Sequence, residues 1–372
     1  MIEFMTISGF LGAGKTTTLL ETARRLREDG RRVAVITNDQ GTELVDTQLA
    51  RSAAETGEVT GGCFCCRFDD LVKVAMDLIN DHGVGTLLAE AVGSCADLQA
   101  TVLRPLRRYY GDRFTAGSLM TVVDAERLAA LSSNNGNADL SYLFAKQLEE
   151  ADVIALNKID LLDAETTQAA LDELHIRYPS ATVAGYSAKS GRGMDQLIKT
   201  WMSQTAAPRN VEIDYNRYAR AEAALAWLNQ TLIVRAPGGF DGDLWARTLL
   251  EHLSKAAQDE GWAIGHAKIT LRAPGVLSRF SLISSGGAPV ADGPAPGPLA
   301  EAEACINARI ACAPTQLDDA IAAAVRAATE VAAAEVERCG GERAFQPAYP
   351  QPAYRLAAPE PSAQICGCNG AC

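Results

Sequence analysis

Residues 3–29 read EFMTISGFLGAGKTTTLLETARRLRED, which is a strand-like apolar run, a glycine-rich turn and an amphipathic helical pattern in succession. The turn matches G-x-x-x-x-G-K-[ST], a pattern that binds phosphate when a strand precedes it and a helix follows. Its glycines let backbone N–H groups surround phosphates at a helix N-terminus, which already favours anions. The residues predicted to bind the nucleotide phosphates are Gly9, Gly12, Ala13, Gly14, Lys15, Thr16 and Thr17. Lys15 is expected to reach the β- and γ-phosphates, and Thr16 to hold Mg²⁺.

The pattern after this turn predicts an α/β fold. Further apolar runs follow, namely RVAVIT, GTLLAEA, SLMTVVD, DVIALN and ATVAGYS. Helical patterns such as DDLVKVAMDLIND and TTQAALDELHIRY separate them. Strands that are apolar throughout and alternate with helices indicate a mostly parallel sheet with helices on both faces.

A change of pattern near SQTAAPRNVEID divides the chain. We predict a first domain over residues 1–207 and a smaller α+β domain over 208–339, with strands and helices in the order βαββ, then β and α. Helices are expected on one face of its sheet, and its tryptophans in its core. From about Gly340 the chain is rich in proline and alanine, so residues 340–372 are expected to form a flexible tail.

Composition limits the class of partner. The 372 residues carry a formal net charge of −12 with a pI of about 4.9, which argues against a nucleic-acid partner held by a positive field. No run approaches the roughly 18 apolar residues of a membrane span, and the N-terminus has an acidic residue where a secretion signal has a basic one. We therefore expect a cytoplasmic protein without a membrane partner, whose ten cysteines remain reduced.

Two motifs predict the base of the nucleotide. NKID, residues 157–160, follows the run DVIAL, and SAK, residues 187–189, follows the next strand-like run. A carboxylate at Asp160 can accept both N1–H and the 2-amino group of guanine, a pair of donors that adenine lacks. The residues predicted to bind or brace guanine are Asn157, Lys158, Asp160, Ser187, Ala188 and Lys189. The sequence therefore predicts a site for GTP and GDP.

The hydrolytic residues are less regular in pattern. Glu90 ends the run GTLLAE and is expected beside Mg²⁺, with Gly93 sensing the γ-phosphate. Asp39, after the second strand, is a candidate for orienting water or contacting the magnesium site. The predicted catalytic residues are Lys15, Thr16, Asp39 and Glu90. No residue stands out as the group that positions water, so intrinsic hydrolysis is expected to be slow.

Residues 60–68 read TGGCFCCRF and place Cys63, Cys65 and Cys66 within four positions. Such thiols are buried packing, a disulfide framework or a site for a soft metal. Cys95, near Glu90, is either an additional thiolate or a small buried residue. The chain ends in CGCNGAC, and we hypothesise that this segment captures metal through Cys366, Cys368 and Cys372. No histidine lies at ligand spacing.

The chain resembles the CobW branch of the metallochaperone GTPases, a class that also includes HypB and UreG. The residues that carry the resemblance are GFLGAGKTT, the C-x-C-C motif of GGCFCC, the E-x-x-G motif of EAVG, and NKID. The resemblance implies that Cys63, Cys65 and Cys66 bind a divalent transition metal, zinc or cobalt first and iron as a further alternative. An acidic ligand from Asp39 or Glu43 stays open, because the first switch departs from the family pattern.

The resemblance further implies GTP hydrolysis coupled to metal delivery. The recipient would be a client metalloenzyme or cofactor-assembly protein, and relatives of this class suggest a GTP-dependent homodimer. Other functions remain open: a GTP-switched activator that transfers no metal, a zinc store or sensor, and a small-molecule kinase, against which NKID and SAK argue. A chaperone is expected to bind metal with an affinity that depends on the bound nucleotide, whereas a store is not. In the chaperone, metal binding must in turn change nucleotide affinity by the same factor.

Overall fold

Seven parallel strands form the sheet of the first domain in a computed structural model, which describes residues 1–38, 54–129, 137–207, 209–293 and 295–358. The strands are β1 (Ile2–Ser8), β2 (Val33–Asn38), β3 (Glu55–Val59), β4 (Thr86–Glu90), β5 (Phe114–Asp124), β6 (Val153–Asn157) and β7 (Thr182–Gly185). Their spatial order is β3-β2-β4-β1-β5-β6-β7, and neighbouring strands are parallel. The six predicted strands are confirmed. Strand β3 was not predicted, because ETGEV contains no apolar run.

Helices cover both faces of this sheet, as predicted. They are α1 (Lys15–Glu28), α2 (Phe68–His82), α3 (Arg104–Tyr109), α4 (Ala138–Glu149), α5 (Ala164–Arg177) and α6 (Met194–Ser203). One core lies between the sheet and helices α1 and α6, and includes Leu19 and Trp201. A second core on the other face includes Leu71 of α2 and Phe144 of α4. Because both faces are buried, the ligand site is confined to an edge of the sheet.

The second domain is an antiparallel sheet with helices on one face. A linking helix α7 (Tyr215–Ala223) leads into it. Its elements are β8 (Ala226–Asp241), α8 (Gly242–Asp259), β9 (Ile264–Ala273), β10 (Val276–Leu282), β11 (Val290–Asp292), β12 (Pro298–Ile310), α9 (Pro314–Val331) and β13 (Glu335–Gly341). The strand order is β11-β10-β9-β12-β8-β13. The predicted order βαββ, then β and α, is confirmed, with the three-residue strand β11 and the seven-residue strand β13 added.

The two faces of the second sheet differ in polarity. Leu228, Ile269 and Ile306 alternate along their strands with polar residues and pack with helices α8 and α9. The opposite face carries Asn229, Thr231, His266, Lys268, Thr270, Arg279, Ser281, Cys305, Asn307 and Arg309. This polar face turns towards the first domain.

The tryptophans of the second domain divide between its two faces. Trp245 lies in the helix-covered core, as predicted. Trp227 instead joins the core of the first domain, and the Arg309 guanidinium lies 4.2 Å from its ring centroid. Trp227 therefore serves the interface between the domains.

Direct contacts join the two domains beside the phosphate-binding turn. Arg127 donates hydrogen bonds to the carbonyl oxygens of Leu11 (2.9 Å) and Gly265 (3.1 Å). A Cβ on Gly265 would lie 2.9 Å from Leu11 Cδ1 and 3.1 Å from the Arg309 carbonyl oxygen, so any larger residue would have to displace these neighbours. Helix α7, which the predicted boundary assigns to the second domain, is tied to Asp139 of α4 by Arg217 and Arg220.

The C-terminal segment differs from the flexible tail expected from residue 340. Residues 335–341 form β13, and residues 342–358, here called the C-terminal strap, run over the first domain. Phe345 pairs with Trp227 through two backbone hydrogen bonds of 2.8 Å, and Tyr354 packs its ring against Phe68. A proline- and alanine-rich composition predicts that a segment has no core of its own, but it does not predict docking on another surface. Cys366, Cys368 and Cys372 lie outside the described residues.

Among the described residues, none of the helices combines the length and hydropathy that a membrane-spanning segment requires.

Candidate functional site

The phosphate-binding turn lies between β1 and α1 at the carboxyl edge of the first sheet, and close packing determines its glycines. Gly9 has φ +133°, and a Cβ there would lie 2.2 Å from the Val122 carbonyl oxygen. Gly14 has φ +95°, and a Cβ there would lie 2.4 Å from Asn157 Nδ2. Both positions require glycine, because the left-handed backbone and the nearby atoms exclude a side chain. Gly12 also has positive φ, and Ala13 is buried beside it.

The residues predicted to hold Mg²⁺ lie together at this turn. The Thr16 hydroxyl donates to Glu90 Oε1 at 3.0 Å, and both side chains are buried. Hydroxyl and carboxylate oxygens are the donor set that Mg²⁺ accepts in nucleotide sites, so these residues fit the ion. Lys15 Nζ donates to the Phe10 carbonyl at 3.4 Å across the turn. Gly93 packs closely on the turn: a Cβ at this position would lie 2.6 Å from Leu11 Cδ2.

The predicted base-binding motifs meet at Asn157. Its Nδ2 donates to the Ala13 carbonyl at 2.9 Å, and its Oδ1 accepts from Ala188 N at 3.0 Å. One side chain thus joins the NKID motif, the SAK motif and the phosphate-binding turn. Lys158 has a left-handed backbone and forms an ion pair with Asp124 at 2.6 Å. Asp160 is exposed on the adjoining short 3₁₀ turn.

A cavity of about 500 Å³ connects these motifs and is bounded by both domains. First-domain residues at its wall include Lys15, Thr16, Thr17, Glu90, Gly93, Asn157, Lys158, Asp160, Ser187, Ala188 and Lys189. The second domain contributes Trp227, His266, Lys268, Arg279, Ser281 and Arg309. Sequence reasoning missed this contribution. The alternation of polar and apolar residues in the strands of the second sheet could have indicated a polar face. It could not have indicated that this face packs against the first domain.

His266 is buried at this wall. Its Nδ1 has no hydrogen-bond partner among the described residues. Burial lowers the pKa of His266 well below its usual value, and the nearby charges of Lys268, Arg309, Lys15 and Arg127 lower it further. The imidazole is therefore neutral at pH 7 in the nucleotide-free protein.

A second cluster consists of the three thiols of the C-x-C-C motif, at the turn that leads into α2. The Sγ atoms of Cys63 and Cys65 are 2.8 Å apart, those of Cys63 and Cys66 are 3.4 Å apart, and those of Cys65 and Cys66 are 3.8 Å apart. Two sulfurs on one tetrahedral zinc ion lie about 3.8 Å apart, given Zn–S distances of about 2.3 Å. The cluster therefore fits such an ion after small side-chain movements. All seven described cysteines are free thiols.

Electrostatics favours a thiolate in this cluster. Cys65, Cys66 and Cys95 hydrogen bond to Cys63 and hold its pKa well below its usual value. The same interactions, with burial, raise the pKa values of Cys65 and Cys95 well above theirs. Helix α2 begins directly after the cluster, and its N-terminus favours negative charge.

Asn38 connects the thiol cluster to the nucleotide cavity. It ends β2 and lies at the cavity wall. Its Nδ2 donates to the carbonyl oxygens of Val59 (3.0 Å) and Gly62 (2.8 Å), and its Oδ1 accepts from Phe64 N at 2.9 Å. These bonds fix the backbone on both sides of Cys63.

The C-terminal strap covers the same cluster. Ala353 N donates to the Cys65 carbonyl at 2.8 Å, and Gln351 N donates to Cys66 Sγ at 3.3 Å. Arg355 forms an ion pair with the buried Asp97 at 2.6 Å. The strap therefore limits access to the thiols that the family resemblance assigns to a metal site.

Several predicted residues have no described position. Asp39 and Glu43 of the first switch lie outside the described residues, as do Cys366, Cys368 and Cys372.

Comparison with known proteins confirms the resemblance. Residues 3–183 match the nucleotide-binding domain of the CobW/HypB/UreG family. The zinc chaperone CobW of Sinorhizobium sp is 29% identical over 201 residues, which are 46% of this chain and 54% of that protein. The zinc chaperone YeiR of Escherichia coli K12 is 31% identical over 165 residues, which are 44% and 48%. These matches span about half the length of each relative. The Zn(II)-bound YjiA GTPase from E. coli aligns with 87% of this chain and 98% of its own at 17% identity, with a TM-score of 0.35.

Proposed function

Because residues 3–183 match the nucleotide-binding domain of the CobW/HypB/UreG family, we propose that this protein is a GTP-hydrolysing metallochaperone. It binds a divalent transition metal at Cys63, Cys65 and Cys66, and passes it to a client metalloenzyme or cofactor-assembly protein. Zinc is the first candidate, because thiolates prefer zinc and the curated relatives are named zinc chaperones, followed by cobalt and iron.

One observation carries this proposal: Asn38 reaches from the nucleotide cavity to the backbone around Cys63. A change at the γ-phosphate edge that moves Asn38 also moves Gly62 and Phe64. The geometry of the thiols then depends on the nucleotide, and metal binding must affect nucleotide affinity to the same extent.

The residues of the turn support binding and hydrolysis of GTP. Backbone N–H groups at the start of α1 and Lys15 would bind the phosphates, and Asp160 would select guanine. Thr16 and Glu90 would hold Mg²⁺, which when bound neutralises charge on the β- and γ-phosphates. His266, Lys268 and Arg279 bring polar and cationic groups of the second domain to the same cavity. Groups of both domains would then face the phosphates.

We further propose a cytoplasmic location and a GTP-dependent homodimer. Free thiols at every described cysteine support a reducing compartment. The homodimer rests on the family alone.

The proposal is tested by Co²⁺ titration of the whole protein, followed by thiolate charge-transfer absorbance. The protein is loaded with a non-hydrolysable GTP analogue or with GDP, and Cys366, Cys368 and Cys372 are changed to Ser to isolate the internal site. We expect tighter binding in the GTP form and loss of the bands in Cys65→Ser/Cys66→Ser. Cys312→Ser is the matched control, because this half-buried thiol lies in the second domain. Equal affinity in both forms would contradict the chaperone function and favour a store or an activator.

A further inference from the structure

We propose that strand β9 of the second domain binds the terminal phosphate of GTP through His266 and Lys268. This contact would distinguish GTP from GDP, which lacks that phosphate, so the second domain would respond directly to hydrolysis. The inference rests on the proposed function for the identity of the nucleotide. Its residue assignment comes from the position of β9 against the phosphate-binding turn.

Strand β9 begins in contact with the phosphate-binding turn. A Cβ on Gly265 would lie 2.9 Å from Leu11 Cδ1, and a Cβ on Gly12 would lie 3.2 Å from the Gly265 carbonyl oxygen. Arg127 ties the same two backbones together, because it donates hydrogen bonds to the carbonyl oxygens of Leu11 and Gly265. His266 is the next residue of the strand, so its backbone is held beside the turn.

The part of the turn that β9 contacts is the part beside the proposed γ-phosphate sensor. A Cβ on Gly93 would lie 2.6 Å from Leu11 Cδ2. The side chain of Leu11 therefore lies against the sensor turn on one side and against Gly265 of β9 on the other. This arrangement places the start of β9 at the end of the site where the terminal phosphate would bind.

His266 and Lys268 lie on the same face of β9 and line the cavity. The His266 side chain is only 7% exposed, and its Nδ1 has no hydrogen-bond partner in the part of the chain that the structure describes. A buried polar nitrogen without a partner costs free energy, and a phosphate oxygen would give the imidazole N–H an acceptor. The Lys268 ammonium would add a charge-assisted hydrogen bond to the same group.

The charge of the second-domain wall suits a phosphate. The whole chain has a net charge of −12, yet the described residues that this domain contributes to the cavity include Lys268, Arg279 and Arg309 and no Asp or Glu. Arg309 already donates to two backbone carbonyls of its own sheet and packs on an indole ring. Arg279 pairs with Thr270, further along β9 from the turn. Lys268 is therefore the cation best placed for the terminal phosphate.

The first test compares two nucleotides in the full-length protein by calorimetric titration. Lys268→Ala is expected to weaken binding of a non-hydrolysable GTP analogue by about 10- to 100-fold and to change GDP affinity much less, because the lost bond is made only to the terminal phosphate. Lys255→Ala, exposed on α8, is the matched control and should bind both nucleotides like the wild type. Unchanged affinities, or equal weakening for both nucleotides, would overturn the assignment of Lys268.

A second measurement uses the wild-type protein and so does not depend on a variant that folds. The chain has four histidines, and ¹⁵N labelling of their rings gives a small set of NMR signals, which His266→Asn assigns. The ring nitrogens of His266 are expected to shift between the GDP and GTP-analogue forms, because only the analogue offers the phosphate acceptor. An unchanged His266 signal would overturn its part in the contact.

The two proposals fail in different ways. If Lys268→Ala kept the wild-type ratio of affinities while Lys15→Ala lost nucleotide binding, the nucleotide site would stand without a contact from the second domain. If the wild-type protein bound neither nucleotide, the proposed function and this inference would both be contradicted.

Discussion

The side-chain amide of Asn38, at the wall of the nucleotide cavity, donates a 2.8 Å hydrogen bond to the carbonyl of Gly62. Gly62 directly precedes Cys63, so the Asn38 side chain connects the cavity wall to the residue before the first thiol of the cluster. The bond is buried on the Asn38 side, where water does not compete for it. This hydrogen bond directly connects the cavity wall with the thiol cluster, although Asn38 and Gly62 are 24 positions apart in the sequence.

Asn38→Ala should uncouple the two sites. We expect metal and nucleotide each to bind, while the ratio of Co²⁺ affinities in the GTP-analogue and GDP forms falls towards one. Couplings of this kind typically amount to about 5- to 150-fold. Asn216→Ala, at an exposed position, is the control. An unchanged ratio in Asn38→Ala would show that the coupling between metal and nucleotide does not pass through Asn38.

Lys15→Ala should weaken GTP binding by about 10- to 100-fold, because hydrogen bonds to charged groups contribute about 1.5–3 kcal/mol. The measurement is calorimetric titration with a non-hydrolysable GTP analogue. Lys199→Ala, exposed on α6, should bind like the wild type. Similar affinities in the two variants would show that Lys15 does not contact the phosphates.

Asp160→Asn should lower GTP affinity by about 10- to 100-fold, since a carboxylate that accepts two hydrogen bonds from guanine is replaced by an amide. Xanthosine triphosphate should gain in relative affinity, because its 2-oxo group can accept a bond from the new amide. Competition with a fluorescent GTP analogue measures both effects, with Asp172→Asn as control. A GTP preference that survives in Asp160→Asn would argue against guanine recognition at this residue.

Lowering the pH should destabilise the nucleotide-free protein partly through His266. Burial and nearby cations hold the pKa of His266 well below its usual value, so the unfolded chain takes up a proton that the folded protein refuses. The resulting stability is complete above the ordinary histidine pKa of about 6.5 and is lost as the pH falls below it, by at most about 1.4 kcal/mol per pH unit.

Urea unfolding at pH 7.5 and 5.5 tests this linkage. His266→Asn should lose less stability between the two pH values than the wild type, whereas the exposed His252→Asn should behave like the wild type. Equal losses in His266→Asn and wild type would mean that His266 is protonated in the folded protein.

Removing the C-terminal strap should expose the thiol cluster. A chain ending at Gln346 lacks the bonds from Gln351 and Ala353 to the cluster, so iodoacetamide should modify Cys66 several-fold faster. A chain ending at Ala358 is the matched control, because it also lacks Cys366, Cys368 and Cys372 but retains the strap. Mass spectrometry of the Cys66 peptide gives both rates, and equal rates would show that the strap gives no protection.

The sequence predicted the nucleotide-binding part of the fold because each motif and apolar run that specifies it lies within a short stretch of the chain. Gly9 and Gly14 occur where backbone and neighbouring atoms exclude a Cβ. Apolar runs such as those of β2, β4 and β6 are strands that are buried on both faces. Strand β3 escaped detection because its residues are half-exposed at the sheet edge, where packing constrains sequence weakly. The docking of the C-terminal strap was not predicted for a related reason. The strap is held by contacts with residues of other elements, and its own amino-acid composition gives no information about those contacts.

The sequence by itself determined the α/β class, the phosphate-binding turn, the motifs NKID and SAK and the clustering of Cys63, Cys65 and Cys66, since each depends on residues that are near one another along the chain. Only the tertiary structure decided that Asn38 links these thiols to the cavity and that His266 lies at the cavity wall. Those relationships depend on strand order and on how one domain packs against the other. Both follow from the burial of whole surfaces, and no single stretch of sequence specifies them.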